Sequence, residues 1–366
     1  MIKSNKNRII IITCTILLGI IGIVFVYSAS KHSAMQQYGD KFFYVKKQAV
    51  GVLLGIVGMF IVFKINYKKY AKFCWIFYFL GLFLLLLVFI PGLGKSSYGA
   101  TRWIGLGGIT IQPSEIAKFC LILFLSVYLS KIESINNFKR LIFVFFLGGI
   151  YLVCIMLEPN MSITICVGLT LLFMLFIAGL RIKTFLLLAI PIILGGIALV
   201  IVEPYRLSRI IAFVDPWKNP LQEGYQLIQS LYAIGSGGLF GVGLFNSRQA
   251  QLFLPFAESD FIFSIICEEA GFLGALSVLM IYLILIITIF KVGTKATNKY
   301  ATFLCFGIGA IISIQTIINI AVVTGSIPPT GLPLPFISAG STSLLVFMSA
   351  IGVVLNVDRQ SRKSKI

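Results

Sequence analysis

Asn246-Ser-Arg-Gln-Ala-Gln-Leu-Phe-Leu-Pro-Phe-Ala-Glu-Ser-Asp-Phe-Ile-Phe-Ser-Ile-Ile-Cys-Glu-Glu-Ala-Gly-Phe-Leu273 is a polar, proline-broken stretch that runs straight into a long apolar one. The apolar run reaches Phe290 before the next lysine, enough helix to cross a hydrocarbon core about 30 Å thick. Three carboxylates interrupt it: Asp260 at its head, then Glu268 and Glu269. Of the chain's 12 acidic residues, four lie between Glu258 and Glu269. Charge in lipid is costly, so this clustering marks a functional candidate.

Working outward, the rest of the chain has the same character. It is 58% hydrophobic and 11% charged over 366 residues, with a mean hydropathy of +1.01. Soluble domains carry about 25% charged residues, so the chain reads as an all-α, polytopic membrane protein, one domain over 1–366. The net charge of +18 does not indicate nucleic acid, because membrane proteins concentrate Lys and Arg in cytoplasmic loops facing anionic lipid. The seven cysteines all lie in apolar runs without a CxxC spacing, and read as small buried hydrophobes. Met1 to Arg8 is basic and leads into an apolar run that reads as a retained first span.

About ten spans can be drawn, near 9–28, 48–64, 73–91, 113–130, 140–156, 162–180, 184–202, 260–290, 300–323 and 341–356. With both termini in the cytoplasm, 19 of the 30 cations fall in inner segments, which sets the orientation. Three larger loops then face outward: 92–112, 203–259 and 324–340. Function tends to reside in loops on a rigid scaffold, so the active face is expected to be extracytoplasmic. Within 203–259, Tyr225, Ile228, Leu231 and Tyr232 recur at helical spacing ahead of a glycine-rich turn. That glycine run lacks the context of a nucleotide fingerprint.

Several residues outside the opening stretch can carry chemistry. Arg102 and Trp103 sit between glycines, either as an interfacial anchor or as an anion-binding loop. Glu115 and Lys118 share a helix face, either as a buried pair that fixes packing or as a functional one. Glu158-Pro-Asn-Met-Ser162 reads first as a turn. Arg206, Arg209, Lys218 and Arg248 are either solvated or phosphate-binding, since arginine grips phosphate in a forked geometry. Asp260, Ser264, Glu268 and Gly271 are expected on one helix face, with Asp260 also suited to capping the helix. The proline-rich 324–343 segment, which includes Ser338, suggests a re-entrant loop; His32 is placed on a distant loop.

Together these motifs resemble the SEDS family, whose members include FtsW, RodA and SpoVE, over about residues 10–358. The carriers are Gly99-Ala-Thr-Arg-Trp-Ile104, Gln112-Pro-Ser-Glu-Ile-Ala-Lys118, Tyr225 to Gly238, Asn246-Ser-Arg-Gln249, Ser259-Asp-Phe-Ile-Phe263, Glu268-Glu-Ala-Gly271 and Gly331-Leu-Pro-Leu-Pro-Phe-Ile-Ser338. Asn246-Ser-Arg-Gln249 and Leu355-Asn-Val-Asp-Arg359 look more like the FtsW/SpoVE branch. The chain departs from the family pattern at Phe256-Ala-Glu258, at Pro159-Asn160 and at Ser338-Ala-Gly-Ser-Thr-Ser343.

The resemblance implies a peptidoglycan glycosyltransferase of the bacterial plasma membrane. It would polymerise lipid II on the outer face with a class B penicillin-binding protein, inside a divisome or related complex. The alternatives are a lipid II flippase and a non-catalytic scaffold. Asp260 maps onto the family's essential carboxylate. Arg102, Trp103, Lys118, Arg248 and Ser338 are expected to bind substrate, and Glu115, Glu268 and Glu269 to serve packing or tuning. No organic cofactor is expected; a divalent cation, Mg2+ or Mn2+, fits this chemistry, with no ligands assigned.

Overall fold

The computed structural model describes residues 5–363, apart from 98–99, 107–108, 189, 191–194, 196–203 and 223. Nine of the expected spans are helices: α1 (Lys6–Tyr38), α2 (Phe43–Lys64), α4 (Cys74–Leu87), α5 (Pro113–Lys131), α6 (Phe138–Leu157), α7 (Met161–Ile177), α11 (Ile262–Thr294), α12 (Lys299–Val323) and α13 (Ser341–Lys363). Seven of these are long and apolar enough to cross a membrane; α4 and α7 are shorter apolar helices. The expected span 184–202 lies mostly outside the described residues. Shorter helices complete the chain: α3 (Tyr67–Lys72), α8 (Pro204–Val214), α9 (Tyr225–Gly237) and α10 (Arg248–Leu252).

Local chemistry sets many of the ends. Asn66, Asn137, Asn160 and Asn298 each accept a bond from a backbone N–H of the helix they precede, satisfying donors the helix leaves open. Pro113 opens α5, where its missing N–H costs nothing. Gly39 closes α1 in the left-handed region, φ 68°, and its N–H returns to Met35 O.

Three expectations need correction. The first span was expected to end near residue 28, but α1 continues to Tyr38, about 50 Å in all, and carries His32 on the helix. The expected loop 92–112 holds an antiparallel meander of β1 (Gly94–Ser97), β2 (Ala100–Leu106) and β3 (Ile109–Ile111). Its register pairs Lys95 with Trp103 and Ile104 with Ile111.

The third correction concerns the opening stretch. Helix α11 starts at Ile262 rather than Asp260, and Gly271 interrupts it with φ 68° and ψ −171°. A break in a membrane helix frees backbone groups that must bond elsewhere. The turn after α9 takes them up. Val242 N donates to Glu268 O (2.9 Å) and Gly243 N to Glu269 O (3.1 Å), while Phe272 N donates to Gly238 O (2.9 Å) and Leu273 N to Leu239 O (3.2 Å). The approach is close enough that a Cβ on Gly271 would lie 2.3 Å from Gly241 N. The single helix face expected to join Asp260 to Gly271 is therefore absent.

The helices leave two dissimilar ends. At one end lie the meander, the α6–α7 turn, α8 to α10 and the proline-rich segment 324–340. Thr342 Oγ1 donates to Thr110 O (3.2 Å) and Arg209 Nη1 to Pro329 O (3.1 Å) there. At the other end, Asp358 on α13 pairs with Arg8 on α1 at 3.3 Å and with Arg362 at 3.0 Å. Helix α2 lies against α13 closely enough that a Cβ on Gly352 would be 2.4 Å from Met59 O. Such small-residue approach is how membrane helices pack without a hydrophobic drive between them.

Candidate active site

Asp260 lies at the loop-rich end, half-buried, two residues before α11. It does not cap that helix, whose N-cap position is Phe261. Its surroundings hold it from three sides. Ser259 Oγ donates to Asp260 Oδ1 (2.9 Å). Asn319 Nδ2, on α12, donates to Asp260 O (2.8 Å) and also to Leu332 O (2.6 Å). Ser338 Oγ donates to Ser259 O (2.5 Å) and accepts from Leu334 N (2.7 Å). Ala339 N donates to Glu258 O (2.9 Å).

The proline-rich segment is thus the wall against which the Asp260 loop is set. Four of its neighbours anchor it from the bundle. Gln48 Nε2 on α2 donates to Ile337 O (3.0 Å) and Ser338 O (3.2 Å). Gln315 Nε2 on α12 donates to Pro333 O (2.8 Å), and Tyr282 OH on α11 donates to Pro335 O. Asn319, one turn beyond Gln315, is the fourth. Prolines cannot donate, so the segment's carbonyls need side-chain donors of this kind.

Two cations, Arg209 and Arg102, act on Asp260. Burial raises its carboxyl above the usual range; the Ser259 bond and the fields of Arg209 and Arg102 act against that rise. Arg102 comes from β2 and reaches the α6–α7 turn, where its guanidinium donates to Glu158 O (3.3 Å) and Pro159 O. Glu258, two residues before Asp260, is buried, and its carboxyl is also raised by burial.

The expected site residues separate into groups. Arg102 and Ser338 come to the Asp260 region. Trp103, half-buried, follows Arg102 on a strand, so the two side chains leave opposite faces of the meander. Lys118 is fully buried. Its Nζ donates to Glu115 Oε1 (2.9 Å) and Gln315 Oε1 (2.8 Å), and lies 4.4 Å from the Phe347 ring centroid. It bears on Asp260 at one remove, through Gln315 and the proline-rich wall.

Arg248 is exposed, and its backbone N donates to Glu268 Oε1 (3.0 Å). The Glu268–Glu269 pair docks the Asn246–Gln249 segment. Ser247 Oγ donates to Glu268, Ser247 N to Glu269 Oε1 (3.1 Å), and Ser28 Oγ of α1 also to Glu269. Ser28 ends the first apolar run, so these carboxylates sit at the loop-rich end rather than deep in a span.

Arg209 and Glu158 were visible in the sequence only as a loop cation and a turn residue. Gln48, Gln315 and Asn319 carried no local signal beyond being polar residues in apolar runs, the feature that marks functional positions in membrane helices. Among the described residues, no three His, Cys, Asp or Glu side chains converge as a metal cage. Asp260 interacts with the carboxyl of Glu258 and the guanidiniums of Arg102 and Arg209, and two carboxyls beside two arginines do not form a protein cage for Mg2+ or Mn2+ among the described residues.

Fold and site together define a polytopic membrane protein with a carboxyl in the field of two arginines at its loop-rich end. The chain belongs to the FtsW/RodA/SpoVE family, described as cell cycle proteins, whose model matches residues 8–363. It is 41% identical to the stage V sporulation protein E of Bacillus subtilis, over 98% of this chain and 99% of that one. It is 37% identical to a probable peptidoglycan glycosyltransferase FtsW of Geobacter sp., covering 96% and 97% of the two chains. Among solved structures, a chain from a peptidoglycan synthase complex that coordinates polymerization and crosslinking superposes with a TM-score of 0.80 at 26% identity, covering 96% of this chain and 97% of that one.

Proposed function

We propose that this chain is a peptidoglycan glycosyltransferase that polymerises lipid II, with its loop-rich end on the outer face of the bacterial plasma membrane. A class B penicillin-binding protein is the partner this reading calls for, within a divisome or related wall-synthesis complex. The observation that carries the mechanism is the position of Asp260, a half-buried carboxyl with Arg102 and Arg209 acting on it.

Asp260 serves as general base. It takes the proton of the acceptor's sugar 4-hydroxyl as that oxygen bonds to C1 of the donor sugar. The bond from C1 to the undecaprenyl diphosphate breaks, and its electron pair leaves with the phosphate oxygen. Arg102 and Arg209 stabilise the charge developing there. A carboxyl raised by burial is a better base than an ordinary one, and the fields of the two guanidiniums favour its ionised form. Asn319 and Ser338 hold the loop so that the carboxylate keeps one position.

The test is Asp260→Ala in purified protein with its transpeptidase partner and labelled lipid II. Loss of glycan polymer, with the partner complex retained, is the expected result, and it separates catalysis from a scaffold role. Undiminished polymer would sink the base assignment. The pairing of Glu115 with Lys118 argues against lipid transport, since the charges that would line such a path are closed on each other.

A further inference from the structure

The turn between α6 and α7 carries a residue that the mechanism above leaves unused. The Glu158 side chain is fully buried, and neither carboxyl oxygen has a hydrogen-bond partner among the described residues. Asn160 Nδ2, in the same turn, is also buried and unpartnered. Next to them Arg102 is anchored on the carbonyl oxygens of Glu158 and Pro159. The same guanidinium acts on the carboxyl groups of both Glu158 and Asp260. Arg102, anchored on the turn that carries Glu158, thus acts on both the proposed base and a second, hidden carboxyl.

We propose that Glu158 is a positioning residue acting through Arg102: uncharged, it leaves the guanidinium's field directed at the anionic diphosphate of the donor, and ionised, it draws that field back into the protein. This rests on the glycosyltransferase reading above. A carboxylate buried without donors is costly, and such a group stays protonated instead. Burial lifts this carboxyl to about 8, although Arg102 pulls the other way. At neutral pH the group beside Arg102 is therefore a neutral acid. The carbonyls that anchor the guanidinium hold it by their dipoles and do not cancel its charge. Ionising Glu158 adds a full negative charge at close range in a partly dry setting, where such a charge weighs more than in water.

The neighbours leave this logic intact. Among the described residues, Arg102 from β2 and Cys154 from α6 are the charged or titratable groups that act on Glu158. The first turn of α7 is Met-Ser-Ile-Thr, with no charge. On α5, Glu115 and Lys118 neutralise each other at 2.9 Å.

The experiment is KM and kcat for lipid II polymerisation by the chain with its transpeptidase partner, from about pH 6.5 to about pH 9, for the unaltered protein and Glu158→Gln. In the unaltered protein KM should rise roughly fivefold between about pH 7 and about pH 9, the size of one partly screened unit charge, with a smaller change in kcat. In Glu158→Gln that ratio should fall to about one, whatever the variant's rate at neutral pH. A Glu158→Gln protein that keeps the alkaline rise overturns the proposal, and so does an unaltered protein without the rise. Inorganic diphosphate as competitor of the unaltered protein gives an answer independent of the variant's folding. Its inhibition should weaken over the same interval, and constant inhibition overturns the proposal. Absence of polymer from the unaltered protein at every pH would instead bring down the glycosyltransferase reading itself.

Discussion

Asp260 is fixed by its backbone as much as by its side chain: Asn319 holds its carbonyl while Ser259 bonds its carboxylate. Asp260→Asn keeps the shape and removes the base, so polymerisation should fall by about 10²–10⁴-fold, measured as kcat on labelled lipid II. The pH profile of the unaltered protein carries a related signature. A base must be ionised, and burial raises this carboxyl. The acid limb of kcat/KM should therefore lie above the ordinary Asp value of about 3.9, with rate lost as pH falls through it. Asn319→Ala strands the carbonyls of Asp260 and Leu332. It should cost about 1–3 kcal/mol in thermal unfolding and lower kcat more than it raises KM, because position rather than substrate contact is lost.

At the scale of elements, the break in α11 and the buried pair of α5 are the sensitive joints. Gly271→Ala places a Cβ against the backbone of Gly241 at a positive φ, and both effects act in the same direction. The variant should accumulate poorly or melt early in detergent. Gly149→Ala on α6, where a Cβ meets nothing within 4 Å, should be neutral or mildly stabilising. Lys118→Met strands Glu115 and should be more harmful than Glu115→Met and Lys118→Met combined, as single breaks of buried pairs cost about 3–5 kcal/mol while apolar replacement of both partners is often tolerated. Spans such as α6 and α12 were legible because about twenty apolar residues in a row admit few other structures in lipid. The break was not, because Gly271 sits in an apolar run and hydropathy averages across it. The meander was not either: Gly94-Lys-Ser-Ser97 has no apolar alternation, and only its pairing with β2 makes it a strand. Asp260 was found through its motif. Its partner Asn319, 59 residues away, is joined to it only by the packing of α12 beside the loop.

Across the whole molecule, the chain's ends are clasped far from the site. Asp358 is nearly buried and holds Arg8 and Arg362, while Asn356 accepts from Tyr67 N (3.0 Å) and donates to Phe63 O (2.6 Å). Asp358→Ala should lower the melting temperature, by about 1–3 kcal/mol of unfolding free energy, and leave KM unchanged, since the clasp lies at the opposite end from Asp260. The interruption at Gly271 has a mechanical consequence of another kind. The stretch Phe272–Thr294 is long enough to span lipid, while Ile262–Ala270 is buried in protein; Gly238–Gly243 bonds to both sides of the joint, and Tyr282 in the longer half donates to Pro335 O of the proline-rich wall. A thicker or thinner bilayer will tilt the spanning half about the joint, as mismatched helices do. The buried half answers to protein on every side. Tyr282 carries part of that tilt to the proline-rich wall, so the reaction centre is only partly decoupled from the membrane that carries it, and its rate should vary modestly across lipids of different chain length.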